Sequence, residues 1–355
     1  MIATIAAWTL PSFLLLATAL PLVRNDYWTF RVLEYPRFQK LILGLAVIAT
    51  LVALRPATGE AFPYLLGASV ACCIYLLVKI FPYTPVAPRE MVRARSGNVD
   101  GTGLKIFAAN VLQTNRDFDA MLKQIQTADP DIVFLVETDE AWAAGTKALE
   151  AEYPYTLHMP LDNTYGLLFF SRLPVRGGRV LFRADPGVPS IEADVQLPAG
   201  PWVKVYGLHP KPPVPGESQY STAKDKELMM VALEVEKHKE PIVVMGDLND
   251  VAWSHVTTLF RKVSGLLDPR RGRGFYSTFS ARNWLMRFPL DYVFCSDHFG
   301  LVQMKRMPYN GSDHFAMSIH LQYDAALEAV QEAPKADAAE REEAAEKASA
   351  PVPAE

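Results

Sequence analysis

The stretch P-I-V-V-M-G-D-L-N-D, residues 241–250, joins a short apolar run to a glycine and then to two carboxylates that flank an asparagine. Ile242 to Met245 are apolar without alternation, which predicts a strand covered on both faces. Gly246 marks a turn or a close approach of two backbones. Asp247 and Asn249 lie two residues apart, so extended backbone would point both side chains to one side, toward a phosphate, a water or a metal ion. A simple Asp/Asn turn after a strand is the alternative.

The composition of the 355-residue chain gives no sign of a general nucleic-acid-binding protein. The chain has 35 Lys and Arg against 39 Asp and Glu, a net charge of -4, so an anionic partner must be held by a local patch or by a metal ion. Cys72 and Cys73 lie in one apolar stretch and Cys295 is far away. This spacing indicates neither a disulfide framework nor a zinc site, and it is compatible with a reducing compartment.

The first 81 residues are predicted to form a membrane anchor with three helices, at 2–23, 38–55 and 61–81. The first stretch carries no charge over a length that can cross a hydrocarbon core of about 30 Å. A cleaved signal peptide is the alternative for it, but the positively charged region that begins such peptides is missing. The second stretch is short for a span, although Lys40 and Arg55 could snorkel at its ends.

The distribution of basic residues favours three spans over two. With three spans, the first loop and the segment after the last span lie on the same side of the membrane, as the positive-inside rule requires. The basic residues concerned are Arg24, Arg31, Arg37, Lys40, Arg89, Arg93 and Arg95. We therefore expect an integral protein of the cell inner membrane, with its N-terminus outside and its larger part in the cytoplasm.

Three further regions follow the anchor. Residues 82–101 contain three prolines and scattered arginines without apolar periodicity, which predicts a linker. Residues 102–322 have the strand and helix patterns of a soluble domain. The Ala/Glu-rich tail, residues 323–355, has helical propensity but few bulky apolar residues with which to pack, which predicts disorder, with a fraying helix as the alternative.

Polar residues stand at the ends of several predicted strands of the soluble domain. They are Asn110 after strand 104–109, Glu137 after strand 131–136 and His209 after strand 202–208. Asp291 interrupts the apolar strand 290–294, and a carboxylate on a buried strand needs a partner. The turn at 310–314 offers one, because it carries Asp313 and His314.

Residues 268–287 interleave arginines with aromatic residues in a glycine-containing loop. Arginine pairs with phosphate and aromatic faces stack on bases, so Arg271 and Arg273 are candidates for binding an anionic substrate. A solvated basic loop is the alternative.

Taken together, these motifs resemble the endonuclease/exonuclease/phosphatase superfamily of metal-dependent phosphoesterases. The resemblance covers residues 102–321 and depends on the order of six motifs: Asn110, Glu137, His209, G-D-L-N at 246–249, L-D-Y at 290–292 and S-D-H at 312–314. It implies an α/β fold, a four-layer sandwich of two mixed β-sheets flanked by helices, with the site residues at one edge of the strands.

The resemblance also implies a role for each site residue. Glu137 would be the main ligand of Mg²⁺, with Mn²⁺ as an alternative ion, and Asn110 and Asp313 would support the metal or the phosphate. Asp247 would position or deprotonate the attacking water. Asn249 would donate a hydrogen bond to a phosphate oxygen. His314 would act on the scissile phosphate, and Asp291 would orient its ring. His209 would lie near the leaving oxygen.

The function implied is that of a membrane-anchored, magnesium-dependent phosphoesterase that hydrolyses a phosphodiester or phosphomonoester by attack of water. The lipid bilayer is the predicted partner of the N-terminal helices. Nucleic acid and phospholipid or inositol phosphate stay open as substrates, and no protein partner is inferred. An inert, membrane-tethered binding module is the alternative, and it is disfavoured because every acidic and amide position of the pattern is filled.

Overall fold

The computed structural model describes residues 2–94 and 101–353 of the chain. Five helices precede the first strand: α1 Ile2–Ala19, α2 Trp28–Arg31, α3 Arg37–Ala53, α4 Arg55–Thr58 and α5 Phe62–Ile80. Helices α1, α3 and α5 pack on one another through a small apolar cluster that includes Leu14, Val47 and Cys72. Many apolar side chains on their outer faces stay exposed.

Two stretches, Ile2–Leu22 and Arg55–Tyr83, are long and apolar enough to cross a membrane. A third span is present if Trp28–Glu34 and Arg37–Ala53, which meet at an angle of 74°, are counted as one. By length and composition, the described helices could form two or three spans, and the sequence predicts three.

Eleven strands and five further helices form the rest of the described chain. The strands are β1 Gly103–Asn110, β2 Ile132–Val136, β3 Tyr155–Met159, β4 Leu167–Ser171, β5 Val175–Leu181, β6 Ser190–Gln196, β7 Trp202–Leu208, β8 Ile242–Asp247, β9 Asp291–Cys295, β10 Phe299–Arg306 and β11 Met317–Tyr323. The helices are α6 Phe118–Ala128, α7 Glu140–Thr146, α8 Thr222–Val235, α9 His255–Ser264 and α10 Ala338–Ser349.

The strands form two mixed sheets. The first has the order β10-β11-β1-β2-β4-β3 and the second the order β5-β6-β7-β8-β9. Each contains one parallel pair, β1 with β2 and β7 with β8, among antiparallel neighbours. The parallel pairs lie at the centres of their sheets, so their carboxyl ends deliver loops to one edge of the molecule.

The sheets pack face to face, with helices on both outer faces, which confirms the predicted four-layer sandwich. Side chains such as Phe134 of β2 and Val243 of β8 fill the space between the sheets. Ile242 and Val244 point the other way and are covered by α8 and α9. Strand β8 is therefore buried on both faces, as its apolar run without alternation predicts.

At Gly246 the backbone of β8 lies against that of its parallel neighbour β7. Its φ is 132°, and a Cβ built on it would lie 2.0 Å from the carbonyl oxygen of Leu208. No residue with a side chain fits there, so the predicted close approach of two backbones is confirmed.

The tail is neither disordered nor a fraying helix over residues 338–349, because these residues form α10 and pack against α8 and α9. Ala344 is fully buried in this contact, and Lys347 Nζ lies 2.9 Å from Asp225 Oδ2. Asp337 begins the helix with a capping box. Small alanine side chains let helices approach closely, so this packing does not need the bulky residues that the tail lacks.

The predicted linker is also packed against the domain where it is described. Met91 is fully buried, the backbone N–H of Leu301 bonds the carbonyl of Val92, and Glu90 pairs with Arg261. Residues 95–100 of the predicted linker lie outside the described residues.

Candidate active site

The ends of four strands bring four predicted site residues together at one edge of the sandwich. Asn110 ends β1, Glu137 follows β2, and Asp247 at the end of β8 pairs in register with Asp291 at the start of β9. Asn110 Nδ2 donates to Glu137 Oε1 at 2.6 Å and to Asp247 Oδ2 at 3.1 Å. One amide group thus bridges the two sheets.

His314 lies between two carboxylates. Its Nδ1 is 2.8 Å from Asp291 Oδ2, and its Nε2 is 3.5 Å from Asp247 Oδ2. Burial opposes a charge on the ring, but Asp291 and Asp247 outweigh it and raise the pKa of His314 to about 10. The ring is therefore an imidazolium at neutral pH, a fixed positive charge at the base of the site.

Asp247 is held by donors on both of its oxygens. Oδ1 accepts the backbone N–H of Asn249 at 2.9 Å, and Oδ2 accepts the amide of Asn110. Burial raises the pKa of Asp247 to about 7, although the charge of His314 acts in the opposite direction. A carboxylate with this pKa can take up a proton near neutral pH.

The turn that carries His314 is fastened to the first sheet. Ser312 Oγ donates to the carbonyl of Asn110 at 2.8 Å and accepts the backbone N–H of His314 at 3.0 Å. The ring of Phe279 lies 5.0 Å from the ring of His314. These contacts set the position of the imidazole relative to both carboxylates.

Two of the site residues have left-handed backbone conformations, Glu137 with φ of 60° and Asn249 with φ of 49°. This region is unfavourable for residues other than glycine, and such strain is often found at functional sites. At each of the two strand ends it turns the chain sharply, just where a side chain must face the cleft.

A cleft of about 260 Å³ opens above this cluster, lined by Leu112, Glu137, Thr164, Tyr165, His209, Pro212, Glu217 and Asn249. His209 is buried, and Nδ1 has no hydrogen-bond partner among the described residues. Burial, together with the charge of His314, lowers the pKa of His209 to about 3. The cleft therefore has a neutral imidazole in its wall, together with Glu137 and Asn249.

Glu137 and Asp313 have the chemistry of a divalent-cation site. Burial raises the pKa of Glu137, and the nearby charge of Asp313 raises it further. Asp313 Oδ1 is buried without a hydrogen-bond partner among the described residues. Neighbouring carboxylates with an unpaired oxygen suit a hard cation such as Mg²⁺.

A buried Asp-Asp-His group fits a cation less well. The ligand atoms of Asp247, Asp291 and His314 lie within 4.8 Å of one another. Both ring nitrogens of His314 already face these carboxylates, Nδ1 toward Asp291 and Nε2 toward Asp247, so an ion bound here would have to replace one of these contacts.

The structure does not bring the two predicted substrate-binding arginines, Arg271 and Arg273, to the cluster. Arg271 Nε lies 3.3 Å from Glu90 Oε1, and Arg273 donates to the carbonyl of Met91. The turn at Gly272 packs against the backbone of the segment that leaves α5. The arginines therefore face that segment and not the strand ends.

Three residues at the site have no signal in the motif pattern. Tyr35 donates its hydroxyl to the carbonyl of Asn249 at 2.6 Å. The backbone N–H of Gln113 lies 3.4 Å from Glu137 Oε2, and the ring of Tyr165 lies 5.4 Å from that of His209. Only Tyr165 has a local cue, since the glycine after it marks a tight approach of backbones.

Comparisons with solved structures show the same fold. The human Nocturnin catalytic domain with bound sulfate anion is 16% identical, with 66% of this chain and 98% of that chain covered and a TM-score of 0.51. D. rerio TDP2 complexed with single strand DNA product is 15% identical, with 62% of this chain and 99% of that chain covered and a TM-score of 0.52. ANGEL2, a 2',3'-cyclic phosphatase, in complex with adenosine-2',3'-vanadate is 14% identical, with 63% of this chain and 97% of that chain covered and a TM-score of 0.51.

A search of curated proteins found no match. Residues 96–314, more than half of the chain, match the model of the Endonuclease/Exonuclease/phosphatase family. The match spans every strand-end motif from Asn110 to His314. The chain therefore belongs to the endonuclease/exonuclease/phosphatase family.

Proposed function

We propose that this chain is a membrane-anchored, divalent-cation-dependent phosphoesterase with its catalytic domain in the cytoplasm. The observation that carries the proposal is the convergence of Asp247, Asp291 and His314 with the amide of Asn110, which links them to Glu137 at the floor of the cleft. Apolar N-terminal helices support the anchor.

Asp247 is the proposed base. Its two oxygens accept from Asn249 and Asn110, so the carboxylate is fixed in orientation while its remaining lone pairs can accept a proton from water. A pKa near 7 lets it act at neutral pH.

His314 and Asn249 are proposed to bind the phosphate. The imidazolium supplies positive charge where the phosphorane-like state becomes more negative, and Asp291 keeps it in place. Asn249 Nδ2 donates to the carbonyl of Pro210 at 2.9 Å. Its second N–H has no acceptor among the described residues and can donate to a phosphate oxygen.

Glu137, with Asp313 and Asn110 beside it, would hold Mg²⁺, with Mn²⁺ as the alternative ion. When bound, the ion would neutralise negative charge on the phosphate. The neutral imidazole of His209 lies in the wall of the cleft, where it can hydrogen-bond the leaving oxygen.

The test is hydrolysis by the purified full-length protein in detergent. Bis(p-nitrophenyl) phosphate and p-nitrophenyl phosphate separate diester from monoester activity, each measured with Mg²⁺, with Mn²⁺ and with EDTA. We expect cation-dependent release of nitrophenol that EDTA abolishes and that His314→Ala lacks. No hydrolysis of either ester, with correct folding, would support the inert binding module instead.

A further inference from the structure

The segment between α1 and α3 lies directly on the catalytic edge of the sandwich. Tyr35 bonds the carbonyl of Asn249. Arg37 Nη1 donates to the carbonyl of Trp253 at 2.7 Å, and Trp253 Nε1 donates to the carbonyl of Glu34 at 2.9 Å. The apolar helices therefore leave the domain at the edge that carries the site.

A loop at residues 280–287 has its inner ends beside the catalytic imidazole. The backbone N–H of Ala281 donates to the carbonyl of Asp313 at 2.6 Å, and Arg282 Nη2 donates to the carbonyl of Gly311 at 2.8 Å. Phe279, which precedes the loop, packs on His314. The loop thus forms part of the rim of the site.

The tip of the same loop is apolar and exposed. Trp284, Leu285 and Met286 are 74%, 56% and 47% exposed. Three consecutive large apolar side chains in water are unfavourable and typically mark an interaction surface. The carbonyl of Leu285 accepts from Gln39 Nε2 at 2.8 Å, and Gln39 lies in the first turn of α3.

The surroundings of the tip indicate what covers it. Gln39 belongs to the start of an apolar helix that counts toward a membrane span, so the tip lies level with the point where that helix would enter a bilayer. Tryptophan is enriched at this level. Arg282 and Arg287 flank the tip and have no acidic partner among the described residues, which suits anionic head groups.

We propose that Trp284, Leu285 and Met286 insert into the surface of an anionic bilayer and that the adjacent cleft takes the phosphate ester of a membrane lipid. The second part rests on the proposed function. A bilayer held against this edge presents head groups to the cleft, while it restricts the approach of a nucleic acid duplex.

Insertion is tested in full-length protein reconstituted in nanodiscs of phosphatidylcholine and phosphatidylglycerol. Trp284→Cys is labelled with the fluorophore NBD, and unmodified protein gives the background from the three buried native cysteines. Lipids brominated near the head group should quench this probe strongly. Equal quenching of a probe at Tyr155→Cys would overturn the insertion.

Tyr155 is a matched control because it is an exposed aromatic residue on the opposite edge. It is 38% exposed and pairs with Ser171, which pairs with Ile132 at the start of β2. The site lies at the other end of that strand. The probe at position 155 should therefore stay in water.

The substrate class is tested with the variant Trp284→Ser/Leu285→Ser/Met286→Ser in the same nanodiscs. Fluorescent phosphatidylinositol 4-phosphate and phosphatidylglycerol are the lipid probes, and bis(p-nitrophenyl) phosphate is the soluble probe. We expect lipid hydrolysis to fall about tenfold, equivalent to about 1.4 kcal/mol, while hydrolysis of the soluble ester is unchanged.

The outcomes separate the two proposals. If wild type hydrolyses the soluble ester and single-stranded DNA but neither lipid, the lipid assignment is wrong and the phosphoesterase stands. If wild type hydrolyses no ester, the proposed function fails, and the quenching at position 284 still decides whether the loop inserts.

Discussion

Asp247 and Glu227 are both buried carboxyl groups whose pKa burial raises to about 7, yet they lie in regions of different character. Asp247 ends a strand beneath an open cleft. Glu227 lies in the interior of α8, where its Oε1 has no hydrogen-bond partner among the described residues. Two carboxyl groups with similar burial and a similar pKa therefore differ in whether they belong to a candidate site.

The difference lies in the groups that converge on each carboxylate. Asp247 receives an amide from the first sheet, a backbone N–H from its own loop and the charge of an imidazolium. Glu227 has the charge of Arg183 and a single side-chain hydrogen bond, from Ser190, and together they lower its pKa without offsetting burial. A raised pKa alone thus marks burial, and convergent donors beside a cleft mark a candidate for catalysis.

The replacement Asp247→Asn gives the largest expected effect. The amide keeps the shape of the side chain but cannot accept a proton from water, so hydrolysis of bis(p-nitrophenyl) phosphate should fall by about three orders of magnitude. Glu227→Gln is the control and should keep wild-type kcat. Comparable losses in both variants would remove the distinction between the two regions.

The replacement Glu227→Gln should instead change stability with pH. The ordinary pKa of the carboxyl is 4.5 and the folded pKa is about 7, so the folded state binds the proton more tightly. The wild type therefore loses stability as pH rises from 4.5 through 7, by up to about 3 kcal/mol. Glutamine does not titrate, so the variant does not lose stability over this pH range.

Thermal unfolding of the wild type and of Glu227→Gln checks the direction of this pH dependence. At pH 8 the variant should unfold at a temperature higher by a few degrees, and at pH 4 the two should coincide. A variant that is less stable than wild type at pH 8 would mean that Glu227 is charged and paired in the fold.

Replacing Glu137 tests its proposed role as the main ligand of Mg²⁺. Glu137→Gln removes a charged oxygen ligand, so the Mg²⁺ concentration that gives half-maximal activity should rise at least about tenfold. Titration calorimetry with Mg²⁺ measures the same change without turnover. Glu217→Gln is the matched control, since Glu217 lines the same cleft but accepts from Tyr165. An equal change in both would argue against Glu137 as the ligand.

The smallest expected effect is that of Tyr35→Phe. The hydrogen bond to the carbonyl of Asn249 stabilises the position of Asn249 by about 1 kcal/mol. Without it, kcat should fall about fivefold while the Mg²⁺ requirement stays constant. Tyr83→Phe removes a similar bond, to the carbonyl of Ala252, away from the cleft. That variant should keep its kcat, and a matching fall would mean general destabilisation.

Residues close to a strand end could be predicted from the sequence, because a buried apolar run shows where its polar terminus lies. Asn110, Glu137 and Asp247 are predicted at strand ends on this basis. Their convergence at one edge with Asp291 and His314 is implied by the family resemblance, and the structure brings all five together. Their chemical roles stay predictions. The sandwich itself was implied by the resemblance of these motifs to the endonuclease/exonuclease/phosphatase superfamily.

Contacts between distant segments could not be predicted in this way. Tyr35 meets Asn249 across 214 positions of the chain, and nothing near either residue indicates it. The left-handed backbone of Glu137 is imposed by the fold and has no glycine to announce it. Arg271 and Arg273 carry the right chemistry, but their direction depends on how the segment after α5 packs.

The packing of the N-terminal helices against the domain has a practical consequence for protein production. A shortened chain that begins near residue 101 would uncover Trp253, whose ring contacts Tyr83 and Phe275. One that ends near residue 322 would uncover the face of α8 that Ala344 covers. Such a fragment is expected to aggregate, so the protein is best expressed and assayed as the whole chain in a membrane mimetic.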